Sequence, residues 1–403
     1  MSTYDKLGTK VLTELPLVPT NFSYNPATAL FTWQNNNTDL PASGYTNELQ
    51  IVQGTEWIKL ADVALSATTA PITGYTATTS TKIYKTRVGV RKTAGFVYPS
   101  LPHETMLQGS RIFAAGATAN IPKQYGLWSN MTLTASGDTS YGGTINDVVV
   151  VGDYVYVAGA TTNTIRKYNL SDLTYTGVES ISLGGTVHCM ITDGTYIYTG
   201  GAGSIAQRVV KKWNADTLAL LATSAYYGDD VRCLSIYGDY IYIGSSGFQV
   251  LNKLNTSNLT LAVAGGRPAG TALELINDGT YLYVGTTSDV VTKFYLSDLT
   301  TTSIATPSYG GDIYAMAISG DYLYVGGATT NAIRRYNLSD LTYTSITSPS
   351  YGGAIYSLKI DGDYIYAGGA TTNAIRRYNL SDLTLVDTST TYGGTINSLA
   401  ISV

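Results

Sequence analysis

Charge is scarce in this sequence. Only 13% of its 403 residues are Asp, Glu, Lys or Arg, and the formal net charge is −4, so it has no basic field for holding nucleic acid. Histidine is scarcer still: His103 and His188 are too few for a His-rich metal centre. The two cysteines, Cys189 and Cys233, lack metal-ligand spacing and read as small buried hydrophobes. No apolar run reaches the ~18–20 residues of a membrane span. The opening MSTYDKLGTKVLTELPLVP has no apolar core behind a positive start, which argues against Sec-type export.

What the chain has in quantity is 34 Tyr, 42 Gly and abundant Thr, beside only 6 Phe. Tyr and Thr favour strands and Gly punctuates tight turns, so the composition predicts an all-β protein. The stretch GGATTNAIRRYNLSDLT occurs twice without change, at Gly326–Thr342 and Gly368–Thr384, and AGATTNTIRKYNLSDLT stands at Ala158–Thr174. A Gly-x-Tyr-x-Tyr marker begins at Gly152, Gly194, Gly238, Gly279, Gly320 and Gly362. A period of about 40 residues without a 3.6-residue apolar rhythm is that of propeller blades. Within one unit, INDVVVV reads as the innermost strand, YVYVAGA as the second, TIRKYNL as the third and LTYTGVE as the fourth.

Two pieces are left over. The chain ends on YGGTINSLAISV, a first strand with nothing after it, while GSRIFAAGATANIPKQYGLWSNMTLT, ahead of the first full unit, matches strands two to four. Joining them predicts a seventh blade, with Ile396–Val403 beside Arg111–Ala117, and leaves no open sheet edge. With GDYxYVGG and IRRYNLSDLT as its recurring pieces, the segment 110–403 resembles a seven-bladed β-propeller of the YVTN/NHL-like kind.

The first hundred residues carry no repeat. Short alternating strands between Pro, Asn and Gly turns suggest a β-sandwich over 15–100. With Trp33, the Tyr84/Arg87/Val88 strand and Gly95, it resembles a fibronectin type III module. Residues 1–14 read as an arm and 101–109 as a linker.

Chemistry is harder to find. His188 has no strained Gly-x-Ser-x-Gly elbow to serve. Asp147 and Glu274 hold equivalent inner-strand positions, and a carboxylate pair there is the one route to a hydrolase or lyase. No cofactor, no metal and no enzymatic activity are expected. Where blades are near copies, a position that varies in each is free to serve binding. Six residues before each marker Gly stand Asn146, His188, Arg232, Leu273, Tyr314 and Tyr356, with Asn397 in the closing strand. Apart from Leu273, these form the candidate binding ring at one mouth of the central channel. The YGG and ATTN loops are expected on the same face. The pairs Arg166-Lys167, Lys211-Lys212, Arg334-Arg335 and Arg376-Arg377 are expected to form ion pairs with Asp172, Asp340 and Asp382. The Asn and Asp of NLSDLT are expected to be turn formers.

A leaderless chain joining an adhesive-type sandwich to a rigid disc predicts a phage structural protein of the virion surface, either a capsid decoration or a tail or fibre component. The expected partners are other virion structural proteins, met through the N-terminal region, and host-surface glycans. Neither nucleic acid nor a membrane span enters that reading. A prokaryotic extracellular adhesion module is the alternative.

Overall fold

A computed structural model describes residues 111–402, apart from the loop positions 118–119, 128–130, 161–163, 204–207, 227–228, 248–249, 329 and 371, and only the strands of the first 110 residues. The chain divides into two compact units between Ser110 and Arg111. In the first, Thr20–Asn25, Leu30–Gln34 and Thr69–Pro71 form one antiparallel sheet. Tyr45–Gln53, Glu56–Val63, Ile83–Lys92, Val97–Pro99 and His103–Met106 form another. The strand His103–Met106 falls in the segment read from the sequence as a linker. The fibronectin type III resemblance rests on side chains, Trp33 and Tyr84 among them, that lie outside the described residues.

The second unit is a seven-bladed β-propeller. Blade 1 runs outward through Ile145–Val151, Tyr154–Gly159, Ile165–Asn169 and Tyr175–Glu179, all antiparallel. These are the four strands read from the repeat. The inner strands of blades 2 to 6 are Val187–Thr192, Val231–Tyr237, Ala272–Asn277, Ile313–Ser319 and Ile355–Asp361. Blade 7 is composite. Its inner strand Ile396–Ile401 comes from the C-terminal end and pairs with Arg111–Gly116, followed outward by Lys123–Gly126 and Leu133–Ser136. Ile112 faces Ile401 and Ala114 faces Leu399, so the closure predicted from the two orphan pieces is present. The copied geometry extends to the backbone: Asn120, Asn331 and Asn373, equivalent in three blades, all take left-handed φ of 53°, 51° and 53°.

Each blade buries both faces against its neighbours, which is why one blade alone has no core. Between blades 1 and 2, Tyr156 and Ile165 pack with Val187, Met190, Ile197 and Trp213. The closing joint has the same construction: Phe113, Ala115 and Ala400 of blade 7 meet Ile145, Val148, Val155 and Tyr168 of blade 1.

The third strands were expected to carry ion pairs with Asp172, Asp340 and Asp382. The structure corrects this. Each of those carboxylates accepts from the backbone N–H and hydroxyl of the Thr two residues on, at 2.7–3.0 Å, closing its own turn as the NLSDLT reading anticipated. The inner member of each basic pair instead lies over a marker Tyr and donates to the next blade's turn. Lys212 sits 3.9 Å from the Tyr196 ring and donates to the Thr256 carbonyl at 3.0 Å. Arg335 sits over Tyr322 and reaches the Ser381 carbonyl. The physical reason is that these cations are buried or half-buried, where a neighbouring blade's carbonyl and an aromatic face satisfy them. Ion pairs do form on the third strands, but with other carboxylates: Arg166 with Glu179 at 2.9 Å, Lys167 with Asp216 at 3.8 Å and Arg377 with Asp387 at 3.4 Å.

The same turn holds Leu173, Leu341 and Leu383 at φ of 58–59°. Left-handed backbone costs a Cβ-bearing residue roughly 1–2 kcal/mol, and burial of each Leu to 0% exposure offsets it.

Candidate functional site

The seven inner strands enclose a channel of about 660 Å³. A sheet edge facing a channel presents unpaired backbone groups, and the wall stitches them with side chains. Asn146 Nδ2 donates to the Val187 carbonyl of the next blade at 2.7 Å, and Asn397 Nδ2 donates to the Ile145 carbonyl at 2.8 Å. Leu399 N–H donates to Ser357 Oγ at 3.0 Å. Asp147 joins three blades: it accepts from Ser398 Oγ at 2.6 Å, from Met190 N–H at 2.6 Å and from Val148 N–H at 2.8 Å. Two candidates of the ring, Asn146 and Asn397, are therefore engaged in holding blade to blade.

The other four divide into two groups on different arcs of the mouth. In blades 5 and 6, Tyr314 and Tyr356 meet edge to face with ring centroids 5.2 Å apart, and Tyr314 donates to Asp312 Oδ2 at 2.9 Å. In blades 2 and 3, Arg232 lies 3.6 Å from Asp230, and Arg208 lies 3.0 Å from Asp230 and 3.6 Å from Asp229. His188 adjoins this network. Burial, reinforced by the nearby Arg232 guanidinium, holds its pKa below the ordinary 6.5, so the imidazole is neutral at pH 7. Asp230 and Asp312 occupy equivalent positions two residues before Arg232 and Tyr314, so one backbone frame presents a cation in blade 3 and an aromatic ring in blade 5.

Arg208, Asp229 and Asp230 were missed in the sequence. Their signal was available: Asp229 stands where blades 5 and 6 have Gly311 and Gly353, and Arg208 follows the segment that replaces the ATTN loop. Lys359 was missed too, although it is the single charged residue at its repeat position, which elsewhere reads Val149, Ile191, Ser235, Ile276, Ala317 and Ala400.

Deeper in the channel lie Glu274 from blade 4 and the Cys189 and Cys233 thiols. Burial pushes both thiols well above their usual range, where the nucleophilic thiolate is not populated at neutral pH. Burial also raises Asp147, against the hydrogen bonds that favour its ionised form. Glu274 has no such bonds. Burial carries it from the ordinary 4.5 to about 8, with Lys359 opposing the rise and Asp147 adding to it.

A group that binds its proton more tightly folded than unfolded favours the fold below its unfolded pKa, and loses that advantage as pH rises to its folded pKa. Stability is therefore expected to fall between about pH 4.5 and 8 through Glu274. His188 acts in the opposite sense below 6.5, where the unfolded chain takes up the proton more readily, so the fall is clearest above that value. Thermal melts from pH 6.5 to 8, below the range in which the thiols and phenols of the unfolded chain titrate, are expected to show a decline on the order of 1.5 kcal/mol that Glu274→Gln removes. An unchanged pH profile in that variant would place the carboxyl in water.

No family model and no curated protein matches the chain. Among solved structures, it is similar to the WD40 β-propeller domain of Doa1, with a TM-score of 0.56 at 11% identity, covering 66% of this chain and 88% of that one. It is also similar to the computationally designed Ika8 protein, with a TM-score of 0.54 at 13% identity over 74% of this chain and 94% of that one. At such identities the likeness is one of fold: the second unit has the architecture of a β-propeller.

Proposed function

We propose that the propeller is a non-enzymatic display module that binds glycans of a host surface through the channel mouth, on a structural protein of a phage virion. The observation that carries the binding part is the asymmetry of the mouth. Blades that are near copies elsewhere diverge there into an aromatic pair, Tyr314 and Tyr356, and a guanidinium–carboxylate network, Arg208, Asp229, Asp230 and Arg232. Aromatic faces take the apolar C–H face of a sugar ring, and forked donors and carboxylates take its hydroxyls. Asp147 supports the non-enzymatic part: with three donors already on its oxygens it is a poor catalytic acid or nucleophile.

The virion assignment rests on composition and on the pairing of a strand-rich N-terminal unit with a closed disc whose repetition suits multivalent display. Anchoring to other virion proteins falls to the N-terminal region. The expected result in a density gradient of native particles is comigration of peptides from both units with DNA-filled particles. Peptides confined to cell-envelope fractions would replace the virion with a prokaryotic adhesion module.

For binding itself, a glycan array probed with the full chain is expected to give hits that Tyr314→Ala weakens at least tenfold. Tyr314 is half-buried at the mouth and its loss leaves the blade cores intact. Hits indifferent to both Tyr314→Ala and Tyr356→Ala would move the site off the mouth.

A further inference from the structure

Among the described residues, two opposite charges inside the channel make neither a hydrogen bond nor an ion pair. Glu274 projects from blade 4 and Lys359 from blade 6 into the same 660 Å³ space. Among the described residues no group donates a hydrogen bond to Glu274 and Lys359 donates to none, and the two are not in ion-pair contact. This contrasts with the other charges of the wall. Asp147 is saturated by Ser398, Met190 and Val148, and Arg232 is engaged by Asp230.

At the level of Glu274 blade 1 places Asp147, already held by its own donors, and the other five blades place Cys189, Cys233, Ala315, Ser357 and Ser398, small side chains that leave the space around the carboxylate open. The volume is that of a small-molecule pocket. Glu274 is half-buried and Lys359 is exposed to the channel, and in a repeat that offers Ala, Ser or Val at these positions neither charge is needed to build the blade.

We propose that the channel interior is a binding site for a small zwitterion of the ω-amino-acid type, its ammonium on Glu274 and its carboxylate on Lys359. The wall argues against simpler ligands. A cation alone would meet Lys359, and an anion alone would meet Asp147 and Glu274. Among the described residues no three His, Cys, Asp or Glu side chains converge as metal ligands. Binding an ammonium favours the ionised carboxylate, so a Glu274 held protonated by burial gives up its proton as the ligand enters. This site lies deeper than the aromatic mouth and does not depend on the glycan reading.

The test is titration calorimetry of the full chain at pH 7 with the series from 3-aminopropanoate to 6-aminohexanoate, in two buffers of different ionisation heat. At least one member is expected to bind, with a buffer-dependent heat reporting proton release. The amine and the carboxylate of matched length are expected to bind at least tenfold more weakly. Glu274→Gln and Lys359→Gln are each expected to lower affinity at least tenfold while retaining the wild-type circular dichroism. The proposal is overturned if no member binds at millimolar concentration, if the singly charged analogues bind as well, or if affinity survives both substitutions. None of these outcomes would bear on glycan capture at the mouth.

Discussion

A chain ending at Thr395 is expected not to form the propeller. The segment it lacks is the inner strand of blade 7, and every part of that strand is engaged. Ile396 and Leu399 are fully buried, each contributing roughly 1.5–3 kcal/mol by burial. The ladder to Arg111–Gly116 is lost, Asp147 loses Ser398, and the Ile145 carbonyl loses Asn397. Together these exceed about 5 kcal/mol, the lower end of the stability of ordinary domains. The loss is also topological. Without the strand, blade 7 has an open edge and the joint between blades 7 and 1 loses Ala400 from its core, so an open ring with two sticky edges replaces a closed one. The truncated protein is expected to aggregate or to melt without a cooperative transition, read by circular dichroism and size-exclusion chromatography. A peptide of residues 395–402 added during refolding is expected to restore part of the native signal. A truncated chain that melts like the parent would mean that ring closure contributes little.

Trp213→Ala is expected to cost about 3–5 kcal/mol. Trp213 is fully buried in the core between blades 1 and 2, and its Nε1 donates to Thr199 Oγ1 at 3.0 Å. The third strands of blades 1, 5 and 6 have Tyr168, Tyr336 and Tyr378 at this place, and all three are equally buried. In blade 2 the larger indole finds Thr199 on the adjacent strand, two residues beyond its register partner Ile197, to receive its N–H. Alanine leaves both a cavity and a buried hydroxyl without its donor. Trp213→Tyr keeps a ring and a polar tip, and is expected to cost about half as much. Guanidinium titrations followed by circular dichroism read both values. Near-equal costs for the two variants would mean that ring volume contributes little and that the indole N–H bond to Thr199, lost in both, carries the effect.

The stitching of the inner strands and the partners of the third-strand cations show where sequence reasoning stopped. A strand edge facing solvent needs its backbone groups satisfied, but the sequence does not say by what. Asn146 and Asn397 looked free to bind a ligand because they vary among blades. They vary because only some joints use an amide for the purpose, while Ser357 serves the same end in blade 6. Likewise Asp340 and Asp382 looked like partners for arginine because they are near in sequence. They point into their own turns instead, and the guanidinium of Arg335 crosses to the next blade.

The sequence by itself determined the repeat, its four strands, the number of blades and the way the ends join. All of these follow from local propensity, periodicity and the need to leave no sheet edge unpaired. Only the tertiary structure decided which varying residues are free. That question depends on side chains reaching between blades far apart in the chain, as Asp147 reaches Met190, 43 residues away, and Ser398, 251 residues away. It also decided the protonation of Glu274, because no local pattern reports how much protein surrounds a carboxyl once seven blades have closed around it.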